Sequence, residues 1–221
     1  MAEAGYRRRG QDGGRGGGDA RGGMDGLGGS PGQRGMYHPA YERGSCGVGA
    51  ICRLDGGKSH DVIAKALQIL VNLTHRGACG CDESTGDGAG ILMQTPHAFL
   101  RVQCEGLGIR LPDEREYGTG LVFLPPEARQ REACVSRFEE AIRQEGQAFL
   151  GWRQVPTDNS RIGDLARKVE PVVWQVFIGR GKGAKDEGAF ERKLYVIRKV
   201  AENAIMRSAM PQRRAFYVPS L

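Results

Sequence analysis

Ser45-Cys46-Gly47-Val48-Gly49-Ala50-Ile51-Cys52-Arg53-Leu54 stands where the character of the chain changes. Of the 35 glycines in 221 residues, 14 fall between Met1 and Gly35. That stretch lacks the apolar side chains that offset ordering entropy, so residues 1–45 read as a disordered Gly/Arg-rich leader or propeptide. Residues 47–54 (GVGAICRL) are small and apolar and predict the first strand of a tightly packed interior. A cysteine before glycines reads first as a buried strand thiol. Its position adds a second reading. If the leader is removed after Ser45, Cys46 becomes the N-terminal residue. Its α-amine, with a pKa of about 7.7–8.0, then serves as base for its own thiol, near 8.5.

Within residues 1–36, four Arg-Gly pairs (at Arg9, Arg15, Arg21 and Arg34) suggest an RNA-binding tract. Glu3, Asp12, Asp19 and Asp25 interrupt it, and Tyr6 is its one aromatic residue, so a solvated leader is the preferred reading and nucleic acid is not expected as a partner. Arg7, Arg8 and Arg9 are not followed by an apolar segment, which excludes a secretory signal, and no apolar run is long enough for a membrane-spanning helix. The net charge of +6, from 32 basic and 26 acidic residues, is modest and spread out. Six cysteines with no sign of export read as reduced thiols of a cytoplasmic protein.

Downstream, Ser59 is placed to cap a helix over 60–73, with Ile63, Ala66, Leu67, Leu70 and Leu73 on one face. Residues 77–90 read as a loop and 90–94 as a strand ended by Thr95-Pro96. Strands are expected over 119–124, 149–155 and 172–178. Helices are expected over 127–145, with Cys134, Phe138, Ala141 and Ile142 inward, and over 187–206, with a stripe of Phe190, Leu194, Ile197, Ala201, Ala204 and Ile205. Residues 214–221 begin another strand. The mixture lacks regular βαβ units and predicts an α+β fold with a mostly antiparallel sheet.

Other chemistry reads weakly. Cys79-x-Cys81 with His75 four residues upstream lacks the second ligand pair of a structural zinc site, so no metal is expected. Gly86-Asp87-Gly88-Ala89-Gly90 runs into an apolar stretch rather than opening a helix, and Gly179-Arg180-Gly181-Lys182-Gly183 lacks phosphate-loop spacing; both read as turns.

Taken together, CGVG at Cys46, His75-Arg76-Gly77-Ala78, and Thr85-Gly86-Asp87-Gly88-Ala89-Gly90-Ile91-Leu92 closely resemble the N-terminal amidotransferase domain of glutamate synthase large subunits. Phe190-Glu191-Arg192-Lys193-Leu194-Tyr195 and Phe216-Tyr217-Val218-Pro219-Ser220-Leu221 are similar to the same family. The resemblance covers residues 37–221. It implies a class II glutamine amidotransferase of the N-terminal-nucleophile hydrolase type, a four-layer αββα sandwich that is incomplete at its C-terminus. It implies Cys46 as nucleophile, forming a thioester with glutamine, and Arg76 as the clamp for the glutamine α-carboxylate, a role its planar fork suits. His75, Gly77, Gly86, Asp87 and Gly88 would shape the loop over the substrate. The ammonia released would form glutamate from 2-oxoglutarate in a downstream synthase domain carrying FMN and an iron–sulfur cluster, with a small reductase subunit as a possible partner; this segment itself needs no cofactor. The family's oxyanion-hole Asn-Gly and α-amino-binding Asp match no position here, and Cys79 and Cys81 replace residues that are usually small and apolar. A non-catalytic amidotransferase-like fragment that binds or regulates is the alternative.

Overall fold

Val172-Val173-Trp174-Gln175-Val176-Phe177-Ile178 is almost wholly β-branched or aromatic, and it occupies the centre of the sheet. The computed structural model describes residues 47–76, 85, 86 and 88–221, and only the backbone of Arg76. Its helices are α1 (His60–Asn72), α2 (His97–Glu105), α3 (Ala128–Gln144), α4 (Asp164–Lys168) and α5 (Glu187–Met206). Its strands are β1 (Tyr117–Leu124), β2 (Ala148–Gln154) and β3 (Val172–Gly179). The strand order is β1-β3-β2. Both pairings are antiparallel, with Tyr117 opposite Gly179 in one and Gln154 opposite Trp174 in the other. The α+β reading with an antiparallel sheet holds.

Alternation along the strands gives the sheet two faces. Val122, Leu124, Val176 and Ile178 point to the α3–α5 side, where they meet Phe138 and Ile197, all fully buried. Phe138 stacks edge-on against Trp152 at 5.6 Å and lies 6.3 Å from Phe216; truncating such a ring costs about 3–5 kcal/mol. The opposite face carries a smaller cluster in which Tyr117 and Phe177 pack under Leu100 and Cys104 of α2. Gly151 sits at the register shift of β2 with φ 156°, and a Cβ there would lie 2.7 Å from Ile109 Cδ1, so both backbone angle and space call for glycine.

The two long helices match their sequence reading closely. Glu127 caps α3 by accepting from the amides of Arg129 and Gln130, and Cys134, Phe138, Ala141 and Ile142 are its buried residues. Asp186 caps α5 through the amide of Ala189. Ala204, expected on the α5 stripe, is exposed, since it falls one position off the buried Ala201–Ile205 row.

Three expected strands differ. Residues 47–54 and 90–94 are irregular, and neither pairs with β1, β2 or β3. Glycines at 47, 49 and 90 weaken any ladder, and a strand without a neighbour leaves its amides to water. Residues 214–221 form a 3-10 turn (Arg213–Ala215) and then a single antiparallel bridge between Tyr217 and Phe123. Pro219 has no N–H with which to extend that ladder. The tail still runs along β1: a Cβ on Gly120 would lie 2.2 Å from the Ser220 carbonyl oxygen. Two helices, α2 and α4, were not expected. Leu67, expected on the inner face of α1, is about half exposed, and the helix buries no residue fully.

Candidate active site

The Ser59 side chain accepts from the Asp61 amide and starts α1 as its spacing predicts. At the other end, Leu73 closes on Ile69 and Leu70, and the chain turns through a single 3-10 element, Thr74–Arg76. Thr74 Oγ1 donates to the Val71 carbonyl at 2.6 Å, and His75 Nδ1 lies 3.0 Å from the Asn72 carbonyl oxygen. His75 is exposed and ties the turn to the end of α1. Arg76 therefore leaves the last residue of a pinned turn, with its backbone direction set by α1.

Of the other residues that the sequence nominates, Cys46, Gly77 and Asp87 lie outside the described residues, as do Cys79 and Cys81 of the discarded metal reading. Gly86 and Gly88 are exposed, and a Cβ at Gly88 would meet none of the described residues within 4 Å.

A cleft of about 1290 Å³ opens beside these elements. One wall is residues 47–53, beginning one position after Cys46. The second is the Ile63, Ala66, Ile69 and Leu70 face of α1. The third is residues 90–97, the continuation of the TGDGAGIL motif. The structure thus brings the stretches that follow two of the three motifs to one cavity, with the helix leading into the third between them. Gly49 makes the close approach possible, because a Cβ there would lie 2.5 Å from Ile69 Cγ2.

The rim is charged. Arg53 hydrogen-bonds Asp55 and, with the Gly57 amide, holds its carboxyl down to about 2. Lys58 pairs with Glu114 and lowers that carboxyl too. His97 and Phe99 line the cleft from α2, which the sequence reading lacks, and Glu114 lines it from the segment before β1 through tertiary placement alone. The Leu100–Cys104 pair at helical spacing was the signal available for it.

The described thiols differ in kind. Burial pushes Cys104 up and Cys134 up to about 11, against the lowering effect of Arg153 and Arg137 respectively. Both stay protonated and are poor nucleophiles at neutral pH. Cys52 is exposed at the cleft. Among the described residues no group of His, Cys, Asp and Glu is arranged to hold a metal ion, and no helix is long and apolar enough to cross a membrane.

Comparison with known proteins adds a family. Residues 46–221 match the glutamine amidotransferases class-II family. The chain is 46% identical over 173 residues to the glutamate synthase [NADPH] large chain of Bacillus subtilis, an alignment covering 78% of this chain and 11% of that protein. It is 38% identical over 196 residues to glutamate synthase [NADH] of Schizosaccharomyces pombe, covering 86% and 9%. It is 37% identical over 166 residues to ferredoxin-dependent glutamate synthase 1, chloroplastic/mitochondrial, of Arabidopsis thaliana, covering 74% and 10%. The chain spans about a tenth of the length of the curated relatives it matches.

Proposed function

The chain belongs to the class-II glutamine amidotransferases, and from that premise we propose that it is the glutamine-hydrolysing portion of a glutamate synthase. The observation that carries the reading is the family match itself, which begins at Cys46, the residue that the sequence singles out as nucleophile. The N-terminal-nucleophile reading requires residues 1–45 to be removed so that the Cys46 amine is free.

The chemistry then runs in balanced steps. The amine takes the Cys46 thiol proton, and the sulfur attacks the glutamine carboxamide carbon. The tetrahedral intermediate collapses to a thioester as the amine returns a proton to the departing nitrogen, releasing ammonia. Water hydrolyses the thioester to glutamate and restores the thiol. Arg76, on a turn fixed by α1, holds the α-carboxylate through its bidentate fork. His75 positions that turn, and Gly77, Gly86, Asp87 and Gly88 shape the loop that continues into the third cleft wall.

The four-layer αββα sandwich belongs to the same reading. It is supported by the sheet face opposite α3 and α5, where Leu121 is 41% exposed and Phe123, Val173 and Gln175 are half-buried. A second sheet layer is the kind of surface that covers such a face. Ammonia delivery to a downstream synthase domain, where FMN and an iron–sulfur cluster would supply the reducing chemistry, is what the resemblance to glutamate synthases implies, and the relatives' names support the synthase part of it. Those names give three electron donors, NADPH, NADH and ferredoxin, so the donor and any small reductase subunit are not carried over. The described Cys52, Cys104 and Cys134 form no metal-binding group, so no step here is assigned to a cluster.

The test is Cys46→Ala in the full-length enzyme. Glutamine-dependent glutamate formation should vanish while ammonia-dependent formation persists. Retained glutamine turnover, or a fully active enzyme whose N-terminus reads Met1 or Ala2, would sink the proposal.

A further inference from the structure

Residues 114–117 approach β1 as four consecutive side chains that each reach a different element. Glu114 pairs with Lys58, just before α1. Arg115 Nη1 lies 3.7 Å from Glu187 Oε2, in the first turn of α5. Glu116 Oε1 accepts from Arg180 Nη2 at 2.6 Å, and its carbonyl accepts the Arg180 amide at 2.8 Å, fixing the segment to the end of β3. Tyr117 Oη lies 3.1 Å from His97 Nδ1, at the start of α2 and the end of the 90–97 wall, with the two rings 5.7 Å apart.

Two observations mark this as more than a loop with neighbours. Arg115 has φ 74°, the one positive φ at a non-glycine residue among those described, so the backbone holds a disfavoured angle to send the four side chains apart. The two contacts that lead to the cleft belong to different walls: Lys58 precedes α1, and His97 ends residues 90–97, while Glu114 itself lines the cavity. The Glu116 and Arg115 contacts lead the other way, to the sheet and to α5. Burial of Tyr117, with Cys104 and Glu114 adding to it, pushes the phenol up to about 12, so its hydroxyl stays protonated throughout the neutral range.

We propose that residues 114–117 are a positioning segment that couples the two cleft walls to each other and to the helix-backed sheet, so that neither wall moves alone. The exposed Lys58–Glu114 pair is weak by itself. Its effect comes from sharing four residues of backbone with the half-buried Tyr117–His97 bond.

The experiment is hydrogen exchange on the full chain, resolved by peptide, for Tyr117→Phe and Glu114→Gln. Tyr117→Phe removes one hydroxyl and keeps the ring against Phe177. Each variant should speed exchange about threefold to tenfold at both the bonded amides of residues 61–63, at the start of α1, and those of residues 97–101, where the 90–97 wall enters α2, with α5 unchanged. His97→Asn, which keeps an acceptor near the Nδ1 position, should stay near the parent. The swapped pair Lys58→Glu with Glu114→Lys should restore what Glu114→Lys loses at both walls. If each variant loosens only the wall it touches, or neither wall responds, the coupling is refuted. A kinetic arm rests on the glutamine reading: KM for glutamine should rise with kcat retained. The exchange arm does not need that reading, so the two fail separately.

Discussion

Gly49→Ala is the perturbation that joins sequence, packing and chemistry most directly. Gly49 lies three residues after Cys46, and its Cα faces α1. The added methyl would sit 2.5 Å from Ile69 Cγ2 and 3.5 Å from Ile69 Cδ1. Ordinary carbon contacts lie near 3.5–4.0 Å, so about 1 Å of displacement is required. Ile69 cannot supply it cheaply. Cγ2 is carried on Cβ, and a β-branched side chain in a helix has essentially one χ1 well. The 47–53 segment has no strand pairing to hold it, so it gives way instead, and the Cys46 side moves with it. Overpacking of this kind costs about 1–3 kcal/mol of stability, and misplacement of a reacting group by about 1 Å costs on the order of 10²-fold in rate. At about 2–4 °C per kcal/mol for a chain of this size, the melting temperature should fall by several degrees. Glutaminase kcat/KM of the full-length enzyme should fall between tenfold and about 10²-fold, with the larger share in kcat. The second variant makes the reasoning refutable. Gly49→Ala with Ile69→Leu moves the branch from Cβ to Cγ and should recover most of both losses. Gly49→Ala with Ile69→Val keeps Cγ2 and should recover neither. Parental activity and melting in Gly49→Ala alone would show that the nucleophile segment does not rest on α1.

Two further outcomes follow from single residues. Arg76→Lys should raise KM for glutamine through loss of about 2 kcal/mol, the size of a charged hydrogen bond, because a point charge replaces a planar fork; steady-state kinetics showing unchanged glutamine affinity would remove Arg76 from the carboxylate. Cys134, raised to about 11 by burial, keeps its proton in the folded chain above the pH where an unfolded thiol loses it. Its contribution to stability is therefore whole below about 8.5 and declines as pH rises toward 11, and Cys134→Ala should flatten that alkaline loss in urea titrations at pH 8 and pH 10.

The parts of the fold legible in the sequence are those in which local pattern and tertiary packing agree. For α3, the acidic cap at Glu127 and the Cys134, Phe138, Ala141, Ile142 spacing point to one helix and one face, and the sheet is there to receive it. For β3, branched and aromatic side chains suit a central strand with a layer on one face and α2 on the other. The misreadings occur where pattern is weak. Small apolar side chains predict a strand over residues 47–54, but glycine and alanine contribute little cross-strand contact, and Val48 and Leu54 are almost fully exposed. In α2 the Pro96 cap makes no side-chain hydrogen bond, so the start signal was missing although the Leu100–Cys104 spacing was present. The candidate site was legible through its motifs and not through its cavity. Cys46, Arg76 and the GDGAG run announce themselves by residue type. His97 and Glu114 reach the cleft through tertiary placement, which no short spacing encodes.

The distribution of burial gives this division an energetic meaning. None of the described residues from 47 to 99 is buried, and α1 presents only a half-covered face. From Leu100 onward two clusters hold all the fully buried side chains of the described residues. Local opening free energy tracks such contacts, so the helix-backed sheet is the rigid scaffold, and residues 47–53 and 90–97 are the adjustable part. A nucleophile segment seated by one glycine against Ile69, and walls tied through Lys58 and His97, can be displaced by changes of a single methyl or hydroxyl group that leave α3 and α5 untouched. On the proposed reading, the placement of Cys46 thus depends on a few polar ties and one close contact rather than on the core. Substitutions at Glu114 and Tyr117 should for that reason separate activity from global stability, whereas substitutions at Phe138 or Ile197 should lower both together.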